Sequence, residues 1–200
     1  MDWDPHFCWY VTRASGIVAF ALLALATGLG LGVTSRLADG ILNRRWVFEV
    51  HKSASLLALA FIGLHLAVLI PEPWIDFGPM DLLLPGTSPY RPLAVAMGVL
   101  AMYGAIVAAS SFYIKKLLGH RTWRALHFAT FGTFVLALLH GVYAGADSGE
   151  PWMRLTYFVT GLAVFFLAVF RILAAPLPRP RPDATPTSLS GGAAANMRAR

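Results

Sequence analysis

The stretch HKSASLLALAFIGLH, residues 51–65, and its counterpart HFATFGTFVLALLH, residues 127–140, decide how the chain folds. Each is an apolar run with a histidine at both ends, and Lys52 is the single charged residue in the two runs. The histidines are fourteen residues apart in the first run and thirteen in the second. Apolar runs of this kind predict helices that cross a membrane and hold polar side chains at two depths.

The composition of the whole chain agrees with a membrane location. Of its 200 residues 57% are hydrophobic and 13% charged, and its mean hydropathy is +0.62, as expected of a membrane protein. We predict an all-α integral membrane bundle of about five transmembrane helices in a domain at 9–174. An outer segment at 1–8 precedes it, and a disordered cytoplasmic tail at 175–200 follows. The predicted helices are Trp9–Val33, Val47–Ile70, Leu93–Ile114, Trp123–Ala144 and Met153–Leu173.

The net charge of +6 follows the sides of the predicted membrane. Most of the basic residues lie between helices 1 and 2, between helices 3 and 4, or after helix 5, whereas Arg13, Arg91 and Arg154 lie on the other side. This asymmetry predicts a multi-pass cell-membrane protein with its N-terminus outside and its C-terminus in the cytoplasm. The basic balance therefore needs no nucleic acid, and we predict membrane lipid as the surrounding partner.

Cysteine usage restricts the cofactors that the chain can hold. Cys8 is the single cysteine, so there is no intrachain disulfide, no cysteine set for an iron–sulfur cluster and no C-x-x-C-H attachment sequence. Any haem would be held non-covalently.

The four intramembrane histidines predict two such haems. With both helices running outward, His51 and His127 lie near the inner face, and His65 and His140 near the outer face. Two imidazoles that face each other can fill both axial positions of a haem iron. We predict two stacked haem b groups with these four histidines as axial ligands, which together would form an electron path across the membrane.

Other interpretations of the histidines remain open. A lone intramembrane histidine usually bonds a neighbouring helix, and a non-redox transporter or scaffold with structural histidines is the alternative function. Proton relays and metal transporters normally add Asp, Glu or Cys at membrane depth, and none lies in the middle of a predicted helix. The thirteen-residue spacing requires a distortion of helix 4, which we predict at Gly132. Gly63, Gly132 and Gly141 are predicted to let porphyrin edges approach, or to serve helix crossings.

The connection between helices 2 and 3, residues 71–92, is rich in proline and apolar side chains. We predict that it packs as a cap on the outer surface rather than extending as a loose loop.

Several motifs resemble those of the ferric reductase-like transmembrane domain. They are the two histidine pairs, Arg13-Ala14-Ser15-Gly16, Ser88-Pro89-Tyr90-Arg91-Pro92 and the segment Arg121–His127. The resemblance covers about residues 9 to 173 and extends to a superfamily of ferric reductases, NADPH oxidases and the haem subunit of the bacterial methionine sulfoxide reductase system. It implies a bis-histidine di-haem core that passes electrons outward from the cytoplasmic side.

Departures from the family pattern limit the expected activity. About 26 residues follow helix 5, so no FAD- and NADPH-binding module is expected. A separate cytoplasmic flavin reductase, with the flavin on that partner, or quinol would then be the electron donor. The acceptor would be ferric iron or an outer redox protein, because Leu69 stands where the oxidase branch has a pocket histidine. We expect the electron-transfer subunit of an oxidoreductase.

Four arginines are candidate contacts for haem propionates: Arg13 and Arg91 on the outer side, and Arg45 and Arg124 on the inner side. For the two inner arginines, the favoured interpretation is that they set the orientation of the chain in the membrane and contact lipid headgroups. Trp46, Trp74, Trp123 and Trp152 are expected in interfacial aromatic belts.

Overall fold

A computed structural model of the chain describes residues 6–35, 43–72 and 75–173. The predicted tail at 175–200, most of the segment 1–8 and Trp74 lie outside these ranges. Every regular element within them is a helix, and five helical spans are long and apolar enough to cross a membrane. The helices are α1 Phe7–Ser35, α2 Arg44–Leu69, α3 Pro79–Leu83, α4 Pro92–Tyr113, α5 Lys115–Phe128, α6 Thr130–Ala144 and α7 Pro151–Leu173.

The predicted fourth span consists of two helices, α5 and α6, which together run from Lys115 to Ala144. Residues 115–122, which the hydropathy pattern assigned to a connection, belong to α5 even though many of them are charged. The backbone of α5 departs from helical geometry at Gly119, whose φ is 73°. This positive φ suits glycine because it has no Cβ.

The distortion predicted at Gly132 is not found there, because Gly132 lies within α6. Helices α5 and α6 meet at Ala129, whose φ of −62° and ψ of −14° lie in the right-handed helical region. Its N–H donates to the carbonyl of Ala125 and its carbonyl accepts the N–H of Thr133, as in a continuous helix. The Thr130 hydroxyl donates to the carbonyl of His127 at 2.7 Å.

Four helical segments surround a central space. Helix α1 packs along α2, and α4 packs along α6. Smaller contacts join α1 to α6 and α2 to α4, while α7 packs outside against α1 and α6. Helices α2 and α6 therefore occupy opposite corners, and no packing of comparable extent joins them among the described residues.

Two apolar clusters border this space. The first joins α1, α6 and α7 through Phe20, Phe134, Met153 and Tyr157. The second joins α2, α4 and the 71–92 connection through Leu69, Phe77, Leu82, Val95, Val99 and Met102. The described part of the connection, including α3, packs on the helix ends, as the predicted cap requires.

The outer face of α7 is apolar and exposed. Leu155, Phe158, Leu162 and Phe165 each expose more than half of their side chains. Such a stripe would be unfavourable in water, whereas lipid tails accommodate it. The helix lengths and this surface together fit a membrane-embedded bundle.

Candidate functional site

His51 of α2 and His127 of α5 face each other at one level of the bundle, here called the lower level. Their ring centroids are 6.0 Å apart and their planes are inclined by 75°. An imidazole nitrogen binds a transition metal at about 2 Å, so two imidazoles on opposite sides of one metal ion have ring centres a little over 6 Å apart. The lower pair matches this separation.

His65 of α2 and His140 of α6 form the upper level, near the end of the bundle that carries the N-terminus. Both line one cavity of about 1430 Å³, a volume that includes its open mouth. Side chains of both apolar clusters line the same cavity, including Phe20, Leu69 and Met102. Apolar walls with a few convergent polar groups are typical of cofactor sites.

Three of the four imidazoles are anchored by the backbone of a neighbouring helix. The Nδ1–H of His65 donates to the carbonyl of Thr12 at 2.9 Å, and that of His51 donates to Ala26 at 2.8 Å. His140 binds the carbonyl of Ala94 at 2.8 Å. Because a carbonyl oxygen only accepts, each bond requires the proton on Nδ1 and leaves Nε2 with a lone pair for a metal.

A glycine lies beside each anchored ring, namely Gly16, Gly30 and Gly98. None of the three was predicted to contact a histidine, although Gly16 belongs to one of the quoted motifs. A Cβ added at Gly98 would lie 2.6 Å from Nδ1 of His140. Added at Gly16 or Gly30, it would lie 3.1 Å or 3.3 Å from Cε1 of His65 or His51, respectively. The sequence contained a signal for two of them, since Gly16 and Gly30 are fourteen residues apart, as are His51 and His65.

The glycines named from the sequence have other surroundings. A Cβ at Gly63 or Gly132 would meet no atom within 4 Å. A Cβ at Gly141 would lie 2.7 Å from the hydroxyl oxygen of Tyr157 on α7. Gly141 therefore serves a helix crossing, which was one of the two predicted roles.

His127 is held differently from the other three histidines. Its ring stacks on Trp123, with centroids 5.1 Å apart and planes inclined by 18°. Its Nδ1 and the Nε1 of Trp123 are both buried without a hydrogen-bond partner in the part of the chain that the structure describes. The Lys115 ammonium lies 4.2 Å from the Trp123 ring centroid. Buried polar atoms are nearly always bonded in proteins, and an indole N–H can only donate, so a group with acceptor atoms would fit beside Trp123.

Arg13, the strongest candidate for a propionate contact, is already paired. Its Nε donates to Asp147 at 2.9 Å and its Nη2 to the other carboxylate oxygen. The guanidinium also lies 5.7 Å from the Trp9 ring centroid. Both members of the ion pair line the upper cavity. Arg13 is positioned at that cavity, although a carboxylate of the chain holds it there.

The other three arginines are not brought into the cavity. Arg91 starts α4 in the left-handed region, with φ 43°, donates to the carbonyl of Tyr143 and lies over the Tyr90 ring. Arg45 and Arg124 are exposed, as the favoured headgroup interpretation would have them. Their predicted contacts with propionates stay predictions.

The residues present fit two planar metal-binding groups between α2 and the α5–α6 span. The lower pair has a suitable separation, the upper pair shares a cavity, and three imidazoles are fixed with Nε2 available. The indole N–H of Trp123, unpartnered among the described residues, adds a need for acceptor atoms at the lower level. No protein-family model, curated protein or solved structure matches the chain.

Proposed function

We propose that the chain is a membrane cytochrome with two non-covalent b-type haems, one between His51 and His127 and one between His65 and His140. The observation that carries the proposal is the placement of these histidines at two levels, with His51 and His127 facing each other and His65 and His140 lining one cavity. Among the described residues, no extensive packing joins α2 to the α5–α6 span that carries their partners. Helices joined only by structural histidines would be expected to close on one another, because close packing is what stabilises helix pairs in lipid.

The chain supplies orientation and a dry environment, and a haem supplies reversible one-electron transfer. The carbonyls of Thr12, Ala26 and Ala94 fix the tautomer of their histidines, which directs Nε2 to the iron. With both histidines of a level bound to one haem iron, no position would remain for a further ligand. That coordination favours electron transfer over ligand binding.

Electrons would pass along the bundle between the two levels. With the N-terminus outside, the lower level lies toward the cytoplasm and would accept electrons from a flavin reductase or from quinol. The upper level would reduce ferric iron or an outer redox protein. Leu69 lines the upper cavity, and His65 and His140 are the only histidines among the described residues that line it. The lack of a third histidine favours such acceptors over oxygen.

Haem content of the purified protein tests the proposal. We expect a reduced-minus-oxidised spectrum of low-spin haem b and about two haems per chain. The double variant H65A/H140A should lose the upper haem and keep the lower one, and H51A/H127A should do the reverse. His6 and His120 are exposed, so H6A and H120A serve as controls and should keep both.

Colourless protein from haem-replete cells would overturn the proposal. The alternative would then stand, namely a non-redox membrane protein whose histidines are structural. Loss of both haems in both double variants, with H6A and H120A intact, would overturn the assignment of ligands to two levels.

A further inference from the structure

Three of the four candidate ligands share one local arrangement on the neighbouring helix. A carbonyl at position i accepts the Nδ1–H of the histidine, and position i+4 is a glycine. The pairs are Thr12 and Gly16 for His65, Ala26 and Gly30 for His51, and Ala94 and Gly98 for His140.

Helix geometry explains why the glycine stands at i+4. Residues four apart lie above one another on one face of a helix, so the glycine lies directly beside the accepting carbonyl. A ring that reaches the carbonyl must pass over position i+4. The Cβ distances of 2.6 Å at Gly98, 3.1 Å at Gly16 and 3.3 Å at Gly30 show that the space of the missing side chain is used.

The register of α1 repeats that of α2. Gly16 and Gly30 are fourteen residues apart, as are His51 and His65, and the two helices run in opposite directions along one another. Gly28 lies two residues from Gly30, about 200° around the helix. A Cβ there would meet no atom within 4 Å. Position along α1 alone therefore does not account for the contacts of Gly16 and Gly30.

We propose that Gly16, Gly30 and Gly98 are positioning residues, each a seat that sets the place and ring orientation of one haem-binding imidazole. The inference rests on the proposed function. It assigns part of the ligand geometry to α1 and α4, which themselves supply no histidine ligand.

The fourth ligand lacks such a seat. Fourteen residues after Ala94 and Gly98 stand Ala108 and Phe112. The Ala108 carbonyl accepts the Ser111 hydroxyl at 2.7 Å, and the Phe112 ring packs near those of Phe48 and Tyr113. His127 stacks on Trp123 instead, so the lower level has one seated and one unseated imidazole.

Single glycine-to-alanine variants test the seats. G98A and G16A should weaken binding of the upper haem, and G30A should weaken binding of the lower haem. At the more crowded positions the loss of haem affinity should be at least tenfold. The order of effect should follow the Cβ distances, with G98A strongest and G30A weakest. G28A is the matched control on α1 and should keep both haems. In G30A, the electron paramagnetic resonance signals of the ferric lower haem that is still bound should shift, because these signals report the orientation of the axial imidazole planes.

The outcomes separate the seats from the proposed function. Two haems with unchanged spectra in G98A, G16A and G30A would overturn the seats and leave the cytochrome standing. If the wild-type protein binds no haem, thermal unfolding of G98A, G16A, G30A and G28A still tests whether the glycine positions make room for the imidazoles. G28A should unfold at or above the wild-type temperature, since alanine favours helix, and G98A clearly below it. Equal unfolding temperatures for G98A, G30A and G28A would overturn the seats.

Discussion

Carbon monoxide should bind the reduced protein at the lower level and spare the upper level. It can occupy a six-coordinate haem only when one axial imidazole leaves the iron. His51, His65 and His140 are each held by an Nδ1 hydrogen bond of 2.8 to 2.9 Å to a carbonyl. His127 has no such partner among the described residues, so its imidazole is the one most readily displaced.

The size of the difference follows from the missing hydrogen bond. Removing an outer hydrogen bond from a metal-binding histidine typically costs 10- to 100-fold in metal affinity. At about 1.36 kcal/mol per tenfold change, displacement of His127 is favoured by roughly 1.4 to 2.7 kcal/mol over that of any other ligand. Half-saturation of the lower level should therefore need about 10- to 100-fold less carbon monoxide than the upper level.

Difference spectra of the dithionite-reduced protein, with and without carbon monoxide, measure this effect. H65A/H140A, which keeps only the lower ligands, should respond as the wild type does. H51A/H127A, which keeps only the upper ligands, should not respond at the same concentration. Equal responses of the two double variants, or a response confined to the upper level, would refute the link between the Nδ1 bond and ligand retention.

Three further predictions concern Trp123, Asp147 and the orientation of the chain. W123F keeps the stack on His127 but removes a buried hydrogen-bond donor. If a haem carboxylate accepts from Nε1 of Trp123, the variant should bind the lower haem about tenfold more weakly. The haem-free protein should be as stable as the wild type or more stable, since an unsatisfied buried donor costs about 1 to 3 kcal/mol. Stability of the haem-free form and haem titration measure the two effects, and a destabilised haem-free form would contradict the reasoning. D147N removes the carboxylate charge that pairs with Arg13 and should lower stability by about 1 to 2 kcal/mol in thermal unfolding. E49Q, at an exposed position of α2, is the control. Equal unfolding temperatures of D147N and the wild type would show that the ion pair is not stabilising. In a C8S background, a membrane-impermeant thiol reagent should label G149C but not K116C on intact cells, and the opposite labelling would reverse the topology.

The number of spans and the four histidines could be read from the sequence because both depend on local patterns. Apolar runs of membrane length predict helices whatever the tertiary structure. Histidines within such runs are conspicuous because an ionisable side chain is costly to place in lipid. The start of α5 was missed for the same reason. The hydropathy pattern indicates segments that lipid surrounds, whereas residues 115–122 include Lys115, Lys116 and Arg121 and still belong to α5, with a kink at Gly119.

The surroundings of the histidines depend on contacts between distant segments, and a hydropathy pattern does not contain these. Arg13 and Asp147 are 134 residues apart in the chain, so no local rule links them. Gly63, Gly132 and Gly141 were chosen because they lie near histidines in sequence. The glycines that contact the rings lie on the facing helices, and only the shared spacing of fourteen could have indicated Gly16 and Gly30.

The division of labour between helices explains why the site needs α1 at all. The two histidines of α2 bond the carbonyls of Thr12 and Ala26 on α1. Helix α1 therefore fixes one imidazole at each level. Helix α4 does the same for His140 alone. His127 stacks on Trp123 instead, and its Nδ1 has no backbone partner among the described residues. The lower level therefore has one anchored and one unanchored imidazole, and the two levels differ in how firmly their ligands are held.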